Sequence, residues 1–209
     1  MTMVYKLHVA YTPKGGAKYG WLNSLPEYVK INMKVAQNPG KSAKSYWPDD
    51  FEVEYVYKNK KKGDLANDSP YLILSRRGVD ELLDLLEPNG EFLPVHCEED
   101  SDVVLFHPTT CLDALDKEKA VVRYFDEENK QRPFRVEWHY FIDEKLGDVP
   151  IFVLQESPSV YVTNRFVERV RERKLKGFGF RKLWSSELGC IHSKYLCGPY
   201  PDKDEDINW

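Results

Sequence analysis

Two stretches of the chain, residues 69–95 and 157–183, repeat one order of local patterns, and this repetition constrains the fold more than any other feature. Each stretch starts with Ser-Pro and an apolar run typical of a short strand, followed by a hydroxyl residue and a helical pattern. Ser75 is positioned to cap the first helix, which contributes about 1 kcal/mol, and Thr163 holds the equivalent position in the second. A further strand follows each helix, so the sequence predicts two similar strand–helix–strand units.

The two units align without a gap because Ser157 follows Ser69 by 88 residues. In the first unit, four apolar residues have the spacing of one buried helical face: Val79, Leu82, Leu83 and Leu86. In the second unit, the helix is predicted to reach about Lys174, with Gly177 stopping it before a strand at 178–184. The identities between the units are few, and chance similarity explains them at least as well as duplication.

Strand patterns dominate the remaining sequence. The strongest runs from Phe134 to Ile142, where apolar and polar residues alternate. Shorter strands are predicted at 4–11, 51–57, 71–74, 91–96, 103–106, 120–125 and 150–154, and a weak helical spacing covers 26–35. The sequence therefore predicts an α+β fold of mostly antiparallel short strands with two or three helices.

Composition shifts suggest three portions. Residues 1–63 form an N-terminal strand and loop portion packed on the main domain, which spans 64–184. Residues 185–209 form an irregular acidic tail. The longest apolar runs are far shorter than the roughly 20 residues of a membrane helix, which argues against membrane insertion. The alternating first residues do not resemble a signal peptide, so the expected location is the cytoplasm.

The net charge of −4 conceals two opposite charge clusters. Residues 79–102 contain nine acidic residues and no Lys or Arg, whereas residues 164–182 contain eight basic residues and two acidic ones. Three interpretations remain open: each cluster is a solvated face, each contacts a partner, or the two clusters meet inside the fold. The overall acidic balance argues against nucleic acid as the main ligand, although the basic helix from Arg165 to Lys182 could contact phosphate.

Cysteine and histidine residues provide a second kind of candidate site. Cys190, His192 and Cys197 could supply three zinc ligands, but structural zinc sites usually have closer ligand pairs, so the sequence favours ordinary reduced thiols over a zinc site. His107 and Cys111 are four residues apart, a spacing that cannot by itself establish a thiol–base pair. His139 shares a strand face with Arg135 and Glu137 and is most simply a solvated or hydrogen-bonded histidine.

The order of motifs between about residues 64 and 183 resembles that of the bacterial immunity proteins of polymorphic toxin systems, the myxobacterial-type family once called a domain of unknown function. The segments that carry the resemblance are Leu74–Leu83, Phe92–Val95, Thr110–Asp116, Val121–Phe125, Ile151–Leu154, Ser157–Thr163 and Gly177–Phe180. These motifs are strand cores, caps and turns.

The resemblance implies a non-enzymatic protein that neutralises a cognate toxin by binding it, with no cofactor and no catalytic residues to transfer. For the toxin-binding surface, the sequence favours two acidic loops, because acidic surfaces steer basic partners. Their residues are Glu98, Glu99, Asp100, Asp102, Asp126, Glu127 and Glu128. The alternative is an enzyme or metal-binding accessory domain that gathers His107, Cys111, Cys190 and His192 in one pocket.

Overall fold

The computed structural model describes residues 1–11, 18–56, 60–67, 69–126, 128–191 and 206–208. Its helices are α1 (Val29–Gln37), α2 (Arg76–Leu86), α3 (Asp143–Leu146) and α4 (Asn164–Glu172), with one-turn 3-10 helices at Pro26–Tyr28 and Glu87–Asn89. Its strands are β1 (Met3–Val9), β2 (Leu22–Ser24), β3 (Val53–Tyr55), β4 (Leu65–Asn67), β5 (Leu72–Ser75), β6 (Gly90–Leu93), β7 (Val103–Pro108), β8 (Val121–Asp126), β9 (Gln131–Trp138), β10 (Ile151–Leu154), β11 (Ser157–Thr163), β12 (Phe178–Ser185), β13 (Gly189–Cys190) and β14 (Asp206–Asn208). The helices in these ranges are too short or too polar to cross a membrane.

The strands pair antiparallel in separate sheets, which confirms the predicted α+β class. The larger sheet has the order β10-β11-β1-β12-β13, and β14 pairs with β12. A second sheet has the order β4-β5-β7-β6, and two further pairs are β2-β3 and β8-β9. The N-terminal strand β1 thus lies inside the larger sheet, between two strands that come more than 150 residues later.

Both predicted strand–helix–strand units are present, and they share a topology that the sequence does not reveal. In the first unit, β5 and β6 are joined by α2 but lie on either side of β7, which is antiparallel to both. In the second unit, β11 and β12 are joined by α4 but lie on either side of β1, again antiparallel to both. Each helix therefore crosses one intervening strand to reach a parallel partner.

The helix starts are correct in position, but only one of the predicted caps forms. Ser75 Oγ accepts a hydrogen bond from the Gly78 N–H at 3.0 Å, as expected for a cap. Thr163 precedes α4, but its hydroxyl donates to the Val149 carbonyl at 3.1 Å and makes no capping bond. The prediction that Thr163 caps its helix is wrong, because its side chain is turned toward the Val149 carbonyl, before β10, and accepts no N–H of α4.

Two other local predictions need correction. On α2, Leu83 is 41% exposed, whereas Leu85 is buried together with Val79, Leu82 and Leu86. Helix α4 ends before Gly177, because Lys174 adopts a left-handed conformation with φ 51° and Leu175 N–H donates to the Val170 carbonyl. This six-to-one bond is the Schellman ending, here made with lysine in the position that glycine usually occupies.

The two units pack around one apolar cluster that joins their helices to the sheets. Buried Leu82, Leu86, Phe166 and Phe180 belong to this cluster.

The alternation predicted from Phe134 to Ile142 ends earlier than expected, since β9 stops at Trp138 and Phe141 makes only an isolated bridge to Leu115. After Trp138 the chain leaves the hairpin and brings His139 against the larger sheet.

Candidate functional site

The acidic and basic clusters meet where α2 and α4 pack side by side. Arg169 donates to both carboxylate oxygens of Asp84, at 2.6 and 3.0 Å. Arg173 Nε lies 3.3 Å from Glu81 Oε2. The hydrogen bond from Arg169 holds the pKa of Asp84 below its ordinary value. The two clusters therefore meet each other at these residues, as ion pairs that remain partly exposed to solvent.

Arg165, the first arginine of the basic helix, also contacts an acidic group of the fold. Its Nη1 lies 2.5 Å from Asp148 Oδ2. Two arginines of α4, Arg165 and Arg169, and Arg173 directly after the helix therefore pair with carboxylates of the same chain. This pairing weakens the alternative that α4 is a nucleic-acid-binding helix, because those guanidinium groups would have to exchange partners to contact phosphate.

The first acidic loop, Glu98–Asp102, lies in the connection from β6 to β7, and its carboxylates differ in their exposure to solvent. Asp100 is mostly buried: Lys62 Nζ lies 2.8 Å from its carboxylate, and the Tyr55 hydroxyl donates to it at 2.8 Å. Burial alone would raise the pKa of Asp100, but the bonds from Lys62 and Tyr55 outweigh it and the pKa is lowered. Asp100 therefore fastens the loop to β3.

The other acidic residues of this loop face solvent. Glu98, Glu99 and Asp102 are exposed. Glu99 Oε2 lies 3.7 Å from the buried Cys97 thiol, and the Asp102 N–H donates to Asp100. The side chains of Glu98, Glu99 and Asp102 are thus the part of this loop that a partner can reach.

The second acidic loop is the tip of the β8-β9 hairpin. Asp126 accepts bonds from the Glu128 N–H at 3.2 Å and from the Asn129 side chain at 2.8 Å, and the Asn129 bonds hold its pKa below the usual range. Glu128 is exposed, and Glu127 lies outside the described residues. The carboxylate of Asp126 stabilises the turn through these bonds. The exposed side chain of Glu128 is therefore the acidic group of this loop, among its described residues, that we consider for partner binding.

Beside this tip lies an apolar groove that the sequence did not predict. Phe125 is 73% exposed and Met33 on α1 is 54% exposed. Both line a groove of about 540 Å³ together with Pro133 and Pro158. A weak signal was available, because alternation along β8 puts Phe125 on the same face as Arg123, and a charged neighbour marks a solvent-facing side. We call Phe125, Asp126, Glu128 and Met33 the hairpin surface.

The predicted His/Cys residues lie at separate places. His107 is buried on β7, and its Nε2 lies 3.0 Å from the Lys41 carbonyl oxygen. The backbone of Cys111 forms an isolated β-bridge with that of Val153. Cys190 lies on β13 and lines a cavity between β9 and the larger sheet. The described lining of this cavity includes neither His107 nor Cys111. Burial raises the pKa of both the Cys111 and Cys190 thiols, which makes them poor nucleophiles.

Metal binding by these residues has little support in the part of the chain that the structure describes. There, no group of three or more His, Cys, Asp or Glu side chains is arranged to hold a metal ion. Two of the candidate ligands, His192 and Cys197, lie outside the described residues.

His139 is neither solvated nor a ligand in a His/Cys cluster. It is buried in the wall of the Cys190 cavity, with Nε2 3.3 Å from the Tyr161 hydroxyl. Burial, aided by the charge of Lys6, lowers the pKa of His139 to about 3. The imidazole is therefore neutral at physiological pH. Of the two roles expected for His139, a solvated or a hydrogen-bonded histidine, the structure shows the hydrogen-bonded one.

Comparison with known proteins gives one family. The model of the immunity protein family (Imm11) matches residues 23–184, well over half of the chain. The matched range begins in β2, before the start of the resemblance near residue 64, and ends in β12. No curated protein matches the chain.

Proposed function

This chain belongs to the immunity protein family Imm11, and we propose that it neutralises a cognate bacterial toxin by binding it tightly, without catalysis of its own. The family match over residues 23–184 carries this proposal. The partner is the toxin of a polymorphic toxin system, which the bound protein occludes or locks. Stable complexes of this kind bury about 800 Å² on each partner.

We propose that protection takes place in the bacterial cytoplasm. Cys97, Cys111 and Cys190 are unpaired thiols. Disulfides are rare in reducing compartments, so free thiols are consistent with a cytoplasmic protein. The toxin would then act on a cytoplasmic target.

The hairpin surface is the toxin-binding region that we favour. An aromatic ring that is 73% exposed leaves apolar area in water, and burying such a ring is worth about 1.5–3 kcal/mol. Aromatic residues and Met are enriched in protein interfaces, and exposed apolar patches commonly mark binding sites. Phe125 would be the buried anchor, while Glu128 would steer a basic toxin from the rim.

The first acidic loop is a second candidate for part of the same interface. Glu98, Glu99 and Asp102 present three exposed carboxylates, but the described part of that loop has no exposed aromatic side chain. Charge at an exposed rim changes association rate more than affinity. We therefore expect this loop to contribute less to the free energy of binding than the hairpin surface.

Co-expression with a candidate toxin, sought among the genes next to the gene of this chain, tests the proposal. We expect the wild-type chain to restore growth and to co-purify with the toxin. Phe125→Ser should weaken binding about tenfold or more, the loss expected when a buried aromatic anchor is removed. Glu128→Lys should mainly slow association, measured by surface plasmon resonance at low and high salt.

Matched control variants show whether a loss of toxin binding is specific to the hairpin surface or follows from any change of an exposed apolar or charged side chain. Leu83→Ser removes another exposed apolar side chain, on α2, and Glu118→Lys reverses another exposed charge. Both should bind as the wild type does. Glu98→Lys tests the first loop without touching the structural Asp100. If Phe125→Ser and Glu128→Lys leave binding and protection intact, the hairpin surface is the wrong choice. If the wild-type chain neither binds nor protects, the proposed function is wrong.

A further inference from the structure

The outer edge of the larger sheet is formed by β12, and two separate segments of the chain cover it. β1 pairs with the inner edge of β12 along most of its length. On the outer edge, β13 pairs with residues 184–185, and the Ile191 N–H donates to the Leu183 carbonyl. In the described part of the chain, β14 is the element that pairs with residues 179–181 on this side. We call the outer side of β12 at residues 179–181 the edge site.

β14 covers the edge site with three residues that come late in the chain. The register places Arg181 opposite Asp206 and Gly179 opposite Asn208. Asp206 follows Ile191, the residue after β13, by 15 positions. Among the described strands, β14 pairs with β12 alone. It can therefore leave the edge site without breaking another described strand pair.

The range of the family match also separates the edge site from its cover. The match ends at residue 184, so it includes the edge site but not β14. The edge thus belongs to the part of the chain that fits the family model, whereas the strand that covers it does not. An uncovered sheet edge presents backbone N–H and C=O groups to which another extended segment can pair. Peptides bind to many domains by adding a strand in this way.

We propose that the edge site binds an extended acidic segment as an added strand, and that β14 occupies it until such a segment replaces it. The chemistry of the ligand follows from the strand that the site already holds. Residues 202–206 contain four acidic residues and one lysine. The register places Asp206 opposite Arg181, which is itself opposite Lys6 on β1. Opposite charges at directly opposite positions stabilise a strand pair, so the site favours an acidic segment.

β14 acts in this proposal as a competitor that the chain itself carries. A tethered segment competes at an effective concentration of the order of millimolar. For a free peptide whose dissociation constant at the open edge site is about 0.1 mM, this competition weakens apparent binding about tenfold. A partner must therefore pair with β12 better than β14 does, or act when β14 has left the sheet.

Two prolines in the full chain open the edge site. Successive N–H groups along a strand point to opposite sides, so the double variant Ile207→Pro/Asn208→Pro loses one ladder donor whichever residue faces β12. Lys203→Pro, outside β14, is the matched control. The probe is a fluorescein-labelled peptide with the sequence of residues 202–209, and fluorescence anisotropy gives its dissociation constant. We expect the double variant to bind this peptide about tenfold more tightly than the wild type or Lys203→Pro does.

Two altered peptides test the class of ligand. A peptide that carries the same two prolines should not bind the double variant, because it cannot complete the ladder. A peptide with lysine at its four acidic positions should bind several-fold more weakly than the probe. Equal affinity for this basic peptide would overturn the choice of an acidic ligand.

Hydrogen exchange measured by mass spectrometry locates the binding. The segment 178–183 should exchange faster in the double variant than in the wild type and should regain protection when the probe peptide is added. Unchanged exchange, or equal affinity of the probe for the double variant and the wild type, would overturn the proposal. Self-association of the double variant that the peptide does not reverse would also overturn it, because a second copy would then be the occupant. These measurements use no toxin, so their failure is distinct from a failure of toxin binding at the hairpin surface.

Discussion

Asp64 joins three parts of the fold, and its replacement shows how much stability depends on one buried carboxylate. The carboxylate accepts hydrogen bonds from Ser75 Oγ at 2.8 Å, from Arg77 Nη1 at 3.0 Å and from the Lys176 N–H at 2.7 Å. Ser75 and Arg77 begin α2, whereas Lys176 lies between α4 and β12. The side chain of Asp64 is only 10% exposed, so these bonds form largely away from water.

The three bonds are unequal in value. Arg77 is 51% exposed and can turn to solvent, so its ion pair is worth about 0.5–1 kcal/mol. The Ser75 hydroxyl and the Lys176 N–H are held by backbone geometry, and each hydrogen bond to a charged acceptor is worth about 1.5–3 kcal/mol. The three contributions together predict that Asp64→Ala lowers the free energy of unfolding by about 3.5–7 kcal/mol. Asp64→Asn keeps one acceptor oxygen and should lose about half of that.

Urea unfolding followed by tryptophan fluorescence at neutral pH gives these differences. Asp113→Ala is the control, because Asp113 is 60% exposed and pairs only with exposed lysines. It should leave the free energy of unfolding unchanged within the error of the measurement, because ion pairs between exposed groups contribute little. If Asp64→Ala costs no more than Arg77→Ala, the carboxylate does not hold the backbone N–H and hydroxyl in the way we describe, and the reasoning fails.

Two further predictions concern charge. The pKa of His139, lowered to about 3 by burial, lies below its unfolded value of about 6.5, so the unfolded chain takes up a proton first as the pH falls. The wild type should therefore lose about 1.4 kcal/mol per pH unit relative to His139→Gln between about pH 6 and 4 in urea unfolding; a constant difference would contradict this. Asp84→Arg and Arg169→Asp should each destabilise by about 0.5–1 kcal/mol, and the double variant should recover most of the loss in a double-mutant cycle. Additive losses would show that the two side chains do not interact.

Local patterns in the sequence predicted much of the secondary structure because they depend on nearby residues. The Ser75 cap and both strand–helix–strand units follow from spacing that any short window contains. Leu83 and Leu85 show the limit of such patterns: they lie two positions apart, about 200° around the helix axis, and the neighbouring elements decide which one is buried. Lys174 shows the same limit. The left-handed conformation that ends α4 falls on this lysine, whereas the sequence predicted that Gly177 would end the helix.

The cavity between β9 and the larger sheet could not be predicted for a different reason. Lys6 and Arg181 are opposite each other in the larger sheet although 174 positions separate them in the chain. Only strand order brings them together, and that order inserts β1 between two late strands. Alternation did place Arg135, Glu137 and His139 on one face, but whether that face meets solvent or another sheet depends on packing.

The choice of a candidate toxin-binding surface depends on which charged residues along the sequence are exposed at the surface of the fold. The acidic cluster at 79–102 includes Glu81 and Asp84, which pair with arginines of α4, and Asp100, which fastens its own loop. A partner would have to break those contacts to use the carboxylates. Fewer acidic side chains can therefore contact a partner than the count of nine along the sequence suggested. At the hairpin tip, exposed acid adjoins the exposed ring of Phe125, and this combination of rim charge and apolar anchor gives the hairpin surface priority over the longer acidic cluster.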